Sequence, residues 1–565
     1  MTHLSSGCLR NPFIPIHGFT SMKRSILILA ALLIACCVET STQPSDEAVT
    51  TAVKAMSTEP LAENTRALSD DEMQGRAPGS EGEERATQFI AEKFQELGLS
   101  PANNGSYFQD VPMVGMKPQP SDLTIEGKTG ITLKYKDDFV AWNEEEKTRV
   151  SVDAPLVFLG YGVEAPEYNW NDFKEDVKDK IIVVLINDPP LPDGRFKGKE
   201  MTYYGRWSYK FEEAERKGAA GCLVIHETEP ASYGWNVVVS SNTGELFSLS
   251  GSPSKLKVRG WITMDAGDRL LRNVGLTYEE AKELALKDDF KPIDLKANAS
   301  VSIDTELRHV DSKNVAGVLE GGSKKDEYVL YMGHWDHFGT DPTLEGDQIY
   351  NGAMDNAIGM SGIIEIARAF KALKPQTQRS VIFLATTGEE QGLLGSEHYA
   401  QHPLLPLNRT LAVINIDGAN VWGKTKDVVM MGYDQSEDIR ALAEKEAEKQ
   451  GRYLTPDPKP EAGSFYRSDH FSLAKVGVPS VYVESGIDYE EGGKERGQKL
   501  KEEWNEKYYH TVEDEYSEDW DYSGVMQDIE LIFRIGVDLS FAEKYPQWSE
   551  SSEFYAIRAR SLKGE

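Results

Sequence analysis

The sequence predicts an α/β protein, with a mixed, mostly parallel sheet flanked by helices and interrupted by an inserted β-rich domain. Three observations carry this. After Asn314, buried apolar runs alternate with amphipathic stretches in the order strand, loop, helix, the pattern of a parallel sheet with right-handed crossovers. Between Asp138 and Asp304 that rhythm gives way to short β-rich runs around a single helix. From His334 onward, histidines and carboxylates end or follow the apolar runs, at the carboxyl ends of strands where open sheets bind ligands.

Along the chain, the polar residues 38–60 read as linker, and residues 61–137 as the first part of the main domain. From Leu61 to Leu97 the pattern is helical: Ala86, Phe89, Ile90, Phe94 and Leu97 recur at helix spacing, Gly98 supplies a stop, and Gly75-Arg-Ala-Pro-Gly-Ser80 punctuates the middle. Residues 138–304 hold the strands Leu156–Val163 and Ile181–Ile186, the helix Trp207–Lys217 and the strand Cys222–Ile225, enough for a core of their own. Residues 305–545 form the second part of the main domain. Its strands are Val329–Met332, Val381–Ala385, Leu411–Ile416 and Ser480–Val483, and its helices Ile358–Phe370 and Ile439–Gln450. Asp488–Glu506 reads as a long charged loop with Trp504 as its notable apolar residue, and residues 546–565 as a tail.

At 565 residues the chain exceeds one ordinary core. Its 61 basic against 92 acidic residues, net charge −31, argue against nucleic acid or an anionic lipid surface as partner. Met22-Lys-Arg24 followed by the apolar run Ile26–Cys37 resembles a secretory leader, residues 1–37, too short to span a bilayer. Residues 1–21 are then an upstream extension or part of a long leader. Leu33-Ile-Ala-Cys36 resembles a bacterial lipobox. The expectation is an exported chain, either a lipoprotein anchored through Cys36 at the periplasmic face or a soluble periplasmic or secreted protein. Cys222 is left as the internal cysteine, in an apolar run that reads as a buried strand, so no disulfide framework is expected.

The chemistry lies in His334 and Asp336 of Gly-His-Trp-Asp-His, Asp355 of Met-Asp-Asn, Glu389-Glu390, Asp417 of Ile-Asp-Gly and His510 of Tyr-His-Thr. Histidines and carboxylates without cysteine describe an oxygen-rich site suited to catalytic rather than structural zinc. Asp336 is a candidate acceptor for the second ring nitrogen of His334. Asp355, at the entry to a helix, can place one carboxylate oxygen on each of two cations. Glu389 and Glu390 are adjacent at a strand end and point in opposite directions, so one can bind metal while the other acts as a base. Spacing alone does not choose between them. His337, His470 and Asp469 are candidates to support the site, His398 and His402 to cover a helix end, and Tyr508 or Tyr509 to donate a phenol.

Gly333-His-Trp-Asp-His337, Asn351-Gly-Ala-Met-Asp-Asn356, Thr387-Gly-Glu-Glu-Gln-Gly392, Asn415-Ile-Asp-Gly418 and Tyr509-His-Thr511 together resemble the M28 family of co-catalytic dizinc aminopeptidases. The stretches Asp71–Pro78 and Ser468–Phe471 look like that family too, and residues 138–304 look like its inserted protease-associated (PA) domain. The resemblance implies the phosphorylase/hydrolase-like zinc exopeptidase fold and two zinc ions. His334, Asp355 and Asp417 would hold one, and Asp355, Glu390 and His510 the other, with Glu389 as general base and Asp336 as orienting group. It implies an exopeptidase that removes amino-terminal residues from peptides. The alternatives are a carboxypeptidase or other amide hydrolase, a cyclase acting on amino-terminal glutamine, or an inactive receptor-like relative.

Overall fold

A computed structural model describes residues 43–564 except Thr129, Ser232, Ser252, Pro253 and Lys255. The leader and Cys36 lie outside the described residues. Helix α1 (Thr58–Leu68) leads through the turn at Asp71–Arg76 into α2 (Glu81–Glu96), which buries Ala86, Ile90 and Phe94. Strand β1 (Phe108–Pro120) then leaves the main body. Beyond it, β2 (Arg149–Phe158), β3 (Ile181–Leu185), β4 (Gly221–His226) and β5 (Val258–Thr263) run parallel in that order, with α3 (Trp207–Arg216) leading into β4. The 27-residue β6 (Ile293–Leu319) returns, pairing antiparallel first with β2 and then with β1. Two long antiparallel arms therefore join the outer segment to the main body.

The main sheet runs β6, β8 (Arg379–Thr386), β7 (Lys324–His334), β9 (Thr410–Asn415), β11 (Ser480–Ser485), β10 (Asp427–Met430). The four inner strands are parallel and the flanking β6 and β10 antiparallel, so the sheet is mixed α/β as the sequence predicts. Every residue of β8 and β9 is buried, the run expected of strands covered on both faces. Helices α4 (Ile358–Ala372) and α6 (Ser523–Phe541) pack on one face, where Tyr331, Phe370 and Phe383 meet at ring separations of 5.6–6.3 Å.

Several helices differ from the sequence reading, among them α6 and Tyr555–Ser561, which lies in the expected tail and buries Arg558. Asp488–Glu506 is largely α5 (Gly493–Lys507), a helix that buries only Gly497; its Glu, Lys and Gln content favours helix while no apolar stripe announces it. Within the expected linker, Asp46–Val53 is helical, with Val49 and Ala52 in the core and Arg534 paired to Asp46 at 3.1 Å. The outer segment carries Trp235–Asn242, Met264–Leu271 and Tyr278–Ala285 beside α3, eight-residue helices too short to show a period. Its apolar cluster extends from Leu123 to Ile303. Among the described residues no helix is long and apolar enough to cross a membrane, and Cys222 is a buried free thiol.

Phe383 is fully buried between Tyr331, Phe370 and Phe94. Phe383→Ala is predicted to lower unfolding free energy by about 3–5 kcal/mol in chemical denaturation; an unchanged midpoint would contradict this packing.

Candidate metal centre

The carboxyl ends of the parallel strands bring all seven predicted residues together. His334 is the last residue of β7, Glu389-Glu390 follow β8, and Asp417 follows β9. Asp355 lies in the turn Ala353–Ala357 that opens α4, and His510 follows α5. His334 Nε2 stands 3.1 Å from Asp417 Oδ1 and 3.2 Å from Asp355 Oδ1. The other oxygen, Asp355 Oδ2, is 3.3 Å from His510 Nε2, which is also 3.3 Å from Glu390 Oε2. One carboxylate thus faces two histidine-centred groups, one oxygen to each.

Three sets of ligand atoms lie within 4.8 Å of one another: His334, Asp355 and Asp417; His334, Glu389 and Glu390; His337, Asp355 and Glu390. These clusters form sites of the co-catalytic dizinc type. The donor set fits such ions. Asp355 Oδ1 is buried and receives no hydrogen bond of good geometry, and an orphaned buried acceptor is costly unless a cation meets it. Burial acts against ionisation of Asp355, yet the adjacent His334 and His510 rings hold it well below the usual carboxylate range. Burial, and then the nearby charges of Asp417, Glu390 and Asp469, push Glu389 well above the ordinary glutamate range. His334 is held well above its usual value, against burial, by Asp417 and Glu389. The cluster is short of positive charge.

Two assignments are refined by the geometry. The acceptor within hydrogen-bond reach of His334 Nδ1 is the main-chain oxygen of Asp336, at 3.2 Å; its carboxylate is 3.9 Å away. That carboxylate instead accepts from the N–H of Glu389 at 3.1 Å, and burial raises it to about 8. Asp336 therefore touches both His334 and Glu389, by different atoms. His337 reaches the cluster directly, with Nδ1 2.6 Å from Glu390 Oε1. Asp469 accepts from Thr386 Oγ1, and His470 is packed between Phe465 and Tyr482, its pKa driven down to about 3 by burial. His398 and His402 stack on each other at the end of the helix Leu394–Gln401. Tyr509 lies against the His510 ring at 3.7 Å, while Tyr508 stacks on Trp504.

The scaffold behind the ligands escapes sequence reasoning. Asp514 accepts from the N–H groups of Met354 at 2.9 Å and Asp355 at 3.0 Å, fixing the main chain of the shared aspartate. Arg76, fully buried, donates to Trp335 O, Leu68 O, Asn351 O and Gly352 O at 2.5–2.9 Å, tying the Asp355 turn to the His334 loop. Asn356 donates to Ile416 O and accepts from Gly418 N, locking the Asp417 loop to the same turn. Ser468 donates to Asp417 Oδ2 at 2.6 Å. His510 holds a left-handed backbone, φ 59°, a conformation that concentrates at functional sites.

A cavity of about 1540 Å³ adjoins the cluster, lined on its other side by Trp207, Tyr233 and Trp261 of the outer segment.

Residues 314–533 match the family model of Peptidase family M28, a stretch that contains every residue of the cluster. The chain is similar to Aminopeptidase YwaD of Bacillus subtilis, 27% identical over 363 residues, covering 62% of each protein. It is also similar to a probable zinc metalloprotease of Pyrenophora tritici-repentis, 36% identical over 109 residues, which cover 19% of this chain and 24% of that protein. The chain thus spans about a quarter of the fungal relative and under two thirds of the bacterial one. Among solved structures, an aminopeptidase from Aneurinibacillus sp. strain AM-1 is 18% identical with a TM-score of 0.48, covering 89% of this chain and 97% of that one.

Arg76→Met is predicted to lower stability by more than about 3 kcal/mol, since each buried carbonyl left without a donor costs about 1–3 kcal/mol. Asp514→Asn is predicted to cost less and to loosen metal retention in dialysis against a chelator. Unaltered denaturation and retention in both variants would contradict the scaffold role.

Proposed function

We propose that the protein is an exported zinc-dependent aminopeptidase that releases amino-terminal residues from peptides. The observation that carries this reading is the Asp355 carboxylate, with one oxygen toward His334 and the other toward His510, beside Glu389, which makes no ion pair among the described residues. In this reading His334, Asp355 and Asp417 hold one zinc, and Asp355, Glu390 and His510 the other. Bound there, the metals supply a water acidic near neutrality and an electrophilic pull on the scissile carbonyl.

The side chains of this chain do the rest. Glu389 takes the proton of the attacking water on its carboxylate and returns it to the departing amine. Asp336 fixes Glu389 through its main-chain N–H and steadies His334 through its own carbonyl, so base and ligand keep a constant separation. Ser468 holds the free oxygen of Asp417. Residues 138–304 act in this reading as an inserted PA-like domain that shapes the cleft, and Cys36 as a lipid anchor on the periplasmic face.

Turnover of an aminoacyl anilide series and of peptides with free or acetylated amino ends tests the direction of attack. Free amino ends are predicted to be required, and chelation to abolish turnover. Glu389→Gln is predicted to reduce kcat roughly 10²–10⁴-fold with the metal content unchanged. Cleavage of acetylated peptides from the carboxyl end would overturn the aminopeptidase reading, and retained turnover in Glu389→Gln would remove that residue from its role.

A further inference from the structure

The cavity above the metal centre is lined by cations in two different states. Arg259 pairs with Glu144 at 2.7 Å and Glu215 at 3.1 Å, and Lys475 reaches Glu212 at 3.4 Å. Arg206 and Arg467 line the same cavity, and among the described residues neither side chain makes an ion pair or a hydrogen bond. Arg206 comes from the outer segment and Arg467 from the main domain. They are held near each other because Met201 N–H bonds to Pro460 O at 3.0 Å, Tyr203 N–H bonds to Glu553 at 3.2 Å, and the Tyr203 ring packs on Phe471 at 5.3 Å.

This is an unusual place to leave two guanidinium groups. Arg206 Nε is buried with no hydrogen-bond partner. Burial, and next the like charge of Arg467, draws the Arg206 guanidinium down to about 10. Burial raises the Tyr233 phenol, and it lies close enough to Arg206 and Arg467 for both charges to work against that rise. Arg206 is also the N-cap of the ten-residue helix α3, and no side chain caps that first turn, so the helix N-terminus adds its partial positive charge at the same wall of the cavity. A half-buried guanidinium whose Nε is enclosed and unpartnered is stabilised when an anion meets it, and a fork of N–H donors suits a carboxylate best. Arg467 adjoins Ser468, which holds Asp417, so this cationic wall and the metal cluster are parts of one connected cleft.

We propose that Arg206 and Arg467, with the N-terminus of α3, form a carboxylate-binding subsite that takes the free carboxylate of a short peptide whose amino end lies at the metals. This rests on the aminopeptidase reading and narrows its substrate class to short peptides bearing a carboxylate at a fixed distance from the amino end. The carboxylate is either the carboxyl terminus or an acidic side chain.

The test is calorimetric titration of the full-length, zinc-loaded Glu389→Gln protein with di-, tri- and tetra-alanine as free acids and as carboxyl-terminal amides, and with Ala-Glu-Ala amide. The expected result is roughly tenfold or tighter binding of the acid over the amide at one peptide length, lost in Arg467→Gln and in Arg206→Gln and partly kept in the corresponding lysine variants. Arg467 is exposed, so its substitution keeps the test open if Arg206→Gln fails to fold. Binding of Ala-Glu-Ala amide as tightly as an acid assigns the site to acidic side chains; weak binding of it assigns the site to the carboxyl terminus. Equal binding of acid and amide at every length, or a preference that survives both glutamine substitutions, overturns the proposal. Failure of the aminopeptidase reading would show separately, as no release of the amino-terminal residue from any of these peptides, acid or amide, by the unsubstituted enzyme.

Discussion

The site depends on one constraint: a single buried carboxylate, Asp355, must present its two oxygens to two histidines that arrive from opposite ends of the main domain. Four carboxylates crowd that region, and like charges at such separations repel strongly in a dry interior. Protonation of Glu389 and His334 relieves part of this and bound cations would relieve more, and the protein holds the aspartate rigidly in place for them. It does so through the main chain. Asp514 holds the adjacent N–H groups of Met354 and Asp355 within the turn, Arg76 gathers carbonyls from the end of α1, the residue after His334 and the approach to the turn, and Asn356 ties the turn to the strand end that carries Asp417.

The fold explains why the ligands arrive where they do. Parallel strands β7, β8 and β9 all point their carboxyl ends to one edge, and each contributes its ligand within a few residues of its last hydrogen bond. Short excursions from a rigid sheet place side chains more precisely than long loops can. Among the described residues the outer segment adds no side chain to the cluster. Its contribution is a wall: the arms β1 and β6 carry it across, and the contacts of Met201 and Tyr203 seat it over the cleft.

Much of this was legible because strand-end ligands leave a local mark, a metal-type side chain directly after an apolar run. His334, Glu389-Glu390 and Asp417 carry that mark, and Asp355 stands at a recognisable helix entry. Arg76 and Asp514 carry none, since their work is hydrogen bonding to main-chain atoms far away in sequence, which no spacing encodes. Asp336 stands beside His334 as its spacing suggests, but the atom that meets the ring is its main-chain oxygen and not its carboxylate, a choice that depends on a side-chain torsion. Helix α5 was hidden because a helix that buries only Gly497 has no period to read, and the helix Asp46–Val53 because a few buried positions sit in an otherwise polar run.

The central claim is that Asp355 is shared by two ions. Anomalous diffraction at the zinc absorption edge from crystals of the zinc-loaded protein tests it most directly. The account predicts two peaks about 3.5–4 Å apart, one beside His334 and Asp417 and the other beside His510 and Glu390, with the carboxylate of Asp355 between them. A single peak, or two that do not flank Asp355, would contradict it.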